Sequence, residues 1–197
     1  MKRVAVLISG RGSNLGALIA AQDQSYKIIL VISNVAGAGG LDKARDAGIV
    51  TQVIPHGGKS REAFDAELDA ALRAAGAELV VLAGFMRILS DGFVRGWEGR
   101  LINIHPSLLP AYKGTRVHER VLAAGEKESG ASVHFVVPEL DAGPVIAQGR
   151  VAVQADDTPE TLAARVLAVE HGLYPHALRL LATEKVRLQN GAAAFTA

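Results

Sequence analysis

The stretch Leu101–Gly114, LINIHPSLLPAYKG, ends an apolar, β-branched run with an Asn and a His two residues apart, and a proline follows at once. Side chains two apart on an extended strand share a face, so Asn103 and His105 project together. A carboxamide N–H and an imidazolium N–H aimed at one point can stabilise the oxyanion formed when a nucleophile attacks a carbonyl. Pro106 then locks the backbone, and Leu108 and Leu109 can anchor the loop in apolar surroundings. No Ser or Cys in a nucleophile elbow accompanies the pair, which argues against a covalent acyl-enzyme and for direct transfer between two bound substrates. A third group must orient or charge the histidine. Asp141, in ELDAGPV, is the candidate, because a nearby carboxylate favours imidazolium over imidazole. Each residue alone also has an ordinary explanation: Asn103 as a turn residue, His105 as a half-buried histidine, Asp141 as a turn former before Gly143-Pro144. His105, His118 and His134 show no HExxH or comparable spacing, so a metal site is not expected.

A second motif, ISGRGSNL, puts Gly10, Gly12, Ser13 and Asn14 where a first strand turns into a helix. Glycines there let the backbone approach a ligand, and free N–H groups at a helix start face an anion. Ser13 and Asn14 can add donors or cap the helix. A dinucleotide fingerprint would need glycine where Leu15 stands, and a Walker loop would need a following Gly-Lys-Ser/Thr. A small phosphate monoester fits better, and a tight turn that binds nothing is the alternative.

These groups need a scaffold, and the chain supplies one by alternating short apolar runs with helix-period segments, the pattern of a parallel sheet with covering helices. Strands are expected at Val4–Ser9, Lys27–Ser33, Val50–Ile54, Leu79–Ala83 and Arg100–Ile104, with helices at Asn14–Gln22, Gly40–Ala47 and Ser60–Ala75. ASVHFVV and PVIAQGRVAV read as an antiparallel pair added to that sheet. A long helix then runs through DDTPETLAARVLAVEHGLYPHALRLLA. It is capped either by an Asp157/Glu160 box or by Thr158 with Pro159 at the first position. Its buried stripe is expected at Leu162, Val166, Val169, Leu173, Ala177 and Leu180, with a kink at Pro175. The expectation is one doubly wound, mostly parallel α/β domain over 1–197. Parallel sheets of this kind bind ligands outside the carboxyl ends of their strands, where Asn103 and His105 fall.

Composition agrees with a globular protein: 197 residues, 49% hydrophobic, 21% charged, net charge +1 and no cysteine. A disulfide framework and thiolate metal sites are excluded, and nothing points to a nucleic-acid or membrane partner. The apolar stretch from Val4 to Ile8 is too short for a signal peptide, and a cytoplasmic protein is expected.

NIHPSLLP, with the ELDAGPVI loop downstream, resembles the core of the folate-dependent formyltransferase family. ISGRGSN, VVLAGFMRIL and EHGLYP narrow the likeness to the branch that serves purine synthesis, from about Val4 to the end of the long helix. The resemblance implies a Rossmann-like fold and transfer of a formyl group from 10-formyltetrahydrofolate to the amine of glycinamide ribonucleotide. The folate is a co-substrate, no metal is needed, and a monomer or homodimer is implied. It further implies that Asn103, His105 and Asp141 are the catalytic trio. Gly12, Ser13 and Asn14 would hold the nucleotide's phosphate, and Glu170 its ribose hydroxyls. Met86, Arg87, Ile88 and Leu89, with Asn103, would grip the folate, its pterin lying between this loop and the one preceding Asp141. Arg61 would lie near the folate's glutamate tail. Arg11 is either an extra phosphate partner or a solvated side chain, and Lys113 and Arg116 stand where relatives carry Pro and His. Two related activities use the same trio. A 10-formyltetrahydrofolate hydrolase is expected to need an amino-terminal regulatory domain, and a methionyl-tRNA formyltransferase a carboxyl-terminal domain and a basic RNA surface. A nucleotide-binding module without catalysis would leave the NIH and ELD segments without a shared purpose.

Overall fold

Strand β1 (Lys2–Ile8) is apolar on both faces because both faces are covered. Val4, Val6 and Ile8 join one buried cluster, and Ala5 and Leu7 join the other, which contains Phe64, Leu68, Leu72 and Trp97. The computed structural model describes residues 1–196. After β1 come α1 (Ser13–Ala20), β2 (Tyr26–Ser33), α2 (Gly40–Asp46), β3 (Val50–Val53) and α3 (Arg61–Ala74). Next are β4 (Leu79–Leu82), α4 (Asp91–Gly96), β5 (Leu101–His105), α5 (Val117–Ala123), β6 (Glu128–Phe135) and β7 (Val145–Ala152). Helix α6 (Pro159–Ala182) and a hairpin of β8 (Val186–Gln189) and β9 (Ala192–Phe195) finish the chain. The main sheet has the order β3-β2-β1-β4-β5-β6-β7. Its first five strands are parallel, and β6 and β7 are antiparallel additions.

The expected strands, the long helix and the antiparallel pair are therefore present. Helices α4 and α5 and the β8–β9 hairpin were not foreseen; each of the two helices buries only two residues, Phe93 and Val94 or Val117 and Val121, so no periodic stripe stands out. Of the two caps considered for α6, the structure has Thr158, which accepts from the Thr161 N–H while Thr161 returns the bond, with Pro159 at the helix start. Asp157 instead binds Arg165 and the Gln154 N–H. The helix is continuous through Pro175, which is buried. The expected stripe is rotated. Leu162, Val166 and Ala177 are buried, but Val169, Leu173 and Leu180 are half-buried, and the buried line runs instead through Glu170, Tyr174, Leu178 and Leu181. Among the described residues no helix is long and apolar enough to cross a membrane.

Candidate active site

Three features gather side chains at the carboxyl edge of the sheet. The first is the β5–β6 register, which sets Asn103 opposite His134 and His105 opposite Ser132. Nδ1 of His134 donates to the Phe135 carbonyl at 2.8 Å, so Nε2 is left as an acceptor for the Asn103 amide at 3.3 Å. Burial pushes the pKa of His134 down; the Phe135 carbonyl and Asp141 push back, and His105 adds to the lowering. A neutral His134 thus orients the Asn103 carboxamide.

The second is the 106–114 loop. Ser132 donates to the Ser107 carbonyl at 2.7 Å and accepts from the Leu109 N–H at 3.0 Å. Gln148 donates to both Ser132 Oγ and the Leu109 carbonyl. With Leu109 buried, this network holds the loop so that the Tyr112 carbonyl accepts from His105 Nε2 at 2.9 Å. Only Nδ1 of the ring is then free to act, which a sequence cannot show.

The third is the 136–144 loop. Asp141 sits in left-handed backbone at φ 50° and is buried. Its Oδ2 lies 3.4 Å from His105 Nδ1 and accepts the Gly114 N–H at 2.9 Å. That separation is longer than an ordinary hydrogen bond and leaves Nδ1 open to a reacting oxygen. Gly143 lets the loop close: a Cβ there would lie 1.7 Å from the Phe135 carbonyl oxygen.

The residues expected to bind the two substrates scatter more. A cavity of about 370 Å³ is lined by Leu82, Phe85, Val136 and Leu140 and by all of Met86, Arg87, Ile88 and Leu89. A second, of about 470 Å³, is lined by Asn14, His105, Arg116, His118, Glu119 and Glu170. The two share Phe85, Met86, Asn103, Gly114 and Thr115, and Asp141 lines the first while His105 lines the second. Asn14 Nδ2 donates to Glu170 Oε2 at 2.6 Å, so these two, expected on different parts of one ligand, are bonded to each other. Burial raises the Glu170 pKa, and the Asn14 bond partly offsets it. Asn14 Oδ1 is buried and has no hydrogen-bond partner among the described residues.

Gly12 is left-handed at φ 69°, and a Cβ on it would meet Gly40 Cα at 2.6 Å. Its glycine is required by packing against α2 as well as by any ligand, and α1 begins there without a side-chain cap from Ser13 or Asn14. Among the described residues Gly12, Ser13 and Arg61 line neither cavity. Arg61 is the exposed first residue of α3, and it is Arg87 that reaches this helix, over the Phe64 ring at 4.6 Å and to the Ser60 carbonyl. Arg11 is exposed, Lys113 pairs with Glu139, and Arg116 pairs with Glu119 at the second cavity. Sequence reasoning missed His134 as the partner of Asn103 and Phe85 as a shared wall. The missing signal for His134 was strand register, which one sequence does not print. Among the described residues no group of three or more His, Cys, Asp or Glu is placed to hold a metal ion.

Residues 2–178, which carry this doubly wound sheet with its Asn-x-His strand end facing an Asp loop, match the Formyl transferase family, and the chain belongs to that family. Phosphoribosylglycinamide formyltransferase of Escherichia coli (strain K12) is 47% identical over 96% of this chain and 92% of its own length. The trifunctional purine biosynthetic protein adenosine-3 of Bos taurus is 53% identical over 96% of this chain, which spans only 19% of that longer protein. The crystal structure of glycinamide ribonucleotide transformylase 1 from Symbiobacterium toebii superposes with a TM-score of 0.96 at 40% identity, covering 100% of this chain and 95% of that one.

Proposed function

We propose that this protein transfers the formyl group of 10-formyltetrahydrofolate to the amine of glycinamide ribonucleotide, giving the formylated nucleotide and tetrahydrofolate in purine synthesis. The observation that carries this reading is the pair of cavities meeting at Asn103, one walled by Leu82, Phe85, Val136 and Leu140 and fit for a pterin, one carrying Asn14, Arg116, His118 and Glu170 and fit for a phosphorylated ribose. Both substrates are small and water-soluble, so we place the reaction in the cytoplasm.

The amine attacks the formyl carbon at the shared wall, and the carbonyl electron pair moves to oxygen. Asn103 Nδ2, oriented by His134, and His105 Nδ1 donate to that oxygen. One well-aimed donor of this kind contributes about 3 kcal/mol. Asp141 offsets the charge on the His105 ring and, through water, helps carry the proton lost by the attacking nitrogen to the folate nitrogen, which leaves as the C–N bond breaks. Holding both reactants in adjoining cavities supplies the proximity term, of order 7 kcal/mol or more. The test is absorbance of 10-formyltetrahydrofolate mixed with purified protein, with and without glycinamide ribonucleotide. Turnover only with both supports the reading; equal folate release without the nucleotide assigns hydrolysis instead.

A further inference from the structure

The loop that divides the two cavities packs on the core through Phe85 and Leu89, and polar bonds tie its backbone at both ends. Met86 and Ile88 are 76% and 58% exposed, so their side chains fix little. At the loop's start, Ser9, just beyond the end of β1, donates its N–H to the Gly84 carbonyl at 3.1 Å and accepts the Met86 N–H on Oγ at 2.8 Å. The same hydroxyl donates to Asn34 Oδ1 at 2.6 Å. Asn34 follows β2, is buried, and donates its amide to His56 Nδ1 at 3.2 Å. At the loop's far end the Ser90 N–H donates to the buried Asp65 at 2.6 Å. The loop is slung between these two ties, and the four-member line Met86–Ser9–Asn34–His56 crosses the carboxyl ends of four neighbouring strands, β4, β1, β2 and β3.

We propose that Ser9 and Asn34 are positioning residues for the folate cavity: they set the backbone of Met86, and with it the wall against which the formyl donor lies. The proposal rests on the formyl-transfer reading above. The Ser9 hydroxyl has one proton and gives it to Asn34, which forces its lone pair toward Met86; Asn34 thereby decides the direction of the bond that holds the loop. Met86 lines both cavities, but Arg87, Ile88 and Leu89, which follow it in the loop, line the first alone, and the line makes no bond to Asn14 or Glu170.

The experiment is steady-state kinetics of Ser9→Ala, Asn34→Ala and Ser9→Thr, each first compared with the wild type by thermal unfolding. Ser9→Ala and Asn34→Ala are expected to raise the KM for 10-formyltetrahydrofolate about fivefold, the weight of one ordinary hydrogen bond. KM for glycinamide ribonucleotide and kcat at saturating folate should stay within about twofold, and Ser9→Thr, which keeps the hydroxyl, should restore most of the folate KM. An unchanged folate KM, equal rises in both KM values, or a threonine that rescues nothing overturns the proposal. If Asn34→Ala does not fold, the Ser9 pair of variants decides alone. A wild type without turnover sinks the formyl-transfer reading instead, so the two failures are distinct.

Discussion

Asp141 uses one oxygen for two tasks, facing His105 Nδ1 and accepting the Gly114 N–H. Asn at this position can keep a hydrogen bond from Gly114 but loses the charge that the ring senses. Asp141→Asn is therefore expected to lower kcat by about a hundredfold or more, the range of a lost acid–base partner, with nucleotide affinity nearly unchanged by calorimetry. Asn14 and Glu170 behave oppositely, because each completes the other inside the second cavity. Asn14→Ala should weaken glycinamide ribonucleotide chiefly, and calorimetry showing equal binding would remove the residue from the site. The raised pKa of Glu170 also has a stability consequence with a definite sign. The native state holds that proton more tightly than the unfolded chain does. The resulting stability is complete below the ordinary value near 4.5 and is lost as pH rises through the raised one. Glu170→Gln cannot ionise, so its unfolding temperature should gain on the wild type between pH 4 and pH 8.

At the scale of the element, EHGLYP is a passage of α6 with three jobs. Glu170 meets Asn14, Tyr174 donates its hydroxyl to the carbonyls of Leu82 and Ile102, and Pro175 packs in the core. The tyrosine ties α6 to the strands β4 and β5 beside the site. Tyr174→Phe leaves two buried carbonyls without that donor and should cost about 1–3 kcal/mol in denaturant unfolding, with a smaller effect on turnover. Most elements could be read from the sequence, because covered parallel strands print unbroken apolar runs such as VAVLI and LVVL. The stripe of α6 was misplaced because apolarity was taken as the guide to burial, whereas the helix buries a carboxylate and a phenol and leaves Val169 and Leu173 half-covered. A buried polar group reveals itself only through its partner, and Asn14 lies 156 residues away.

For the whole molecule, the pairing of Asn103 with His105 was legible because strand alternation and the sheet's carboxyl edge are geometric rules, whereas Asp141, in a loop, was a candidate that only the family resemblance joined to them. The bond from His105 Nε2 to Tyr112 and the seat of Asn103 on His134 were not legible, since both arise where distant segments close on one another. His134 is buried and His118 half-buried, and burial is the leading cause that pushes both pKa values down. The native state then binds fewer protons than the unfolded one. Stability from these rings is full above their ordinary value near 6.5 and is lost as pH falls below it. The unfolding midpoint should be level above about pH 7 and decline below about 6.5, and His134→Gln should flatten part of that decline. The β5–β6 register has a last consequence. Because faces alternate along a strand, deleting a single residue from either partner would turn its polar row inward and bring a valine or isoleucine into its place. Descendants of this chain can lengthen their surface loops freely, but an insertion or deletion in one of these two strands must be answered in the other.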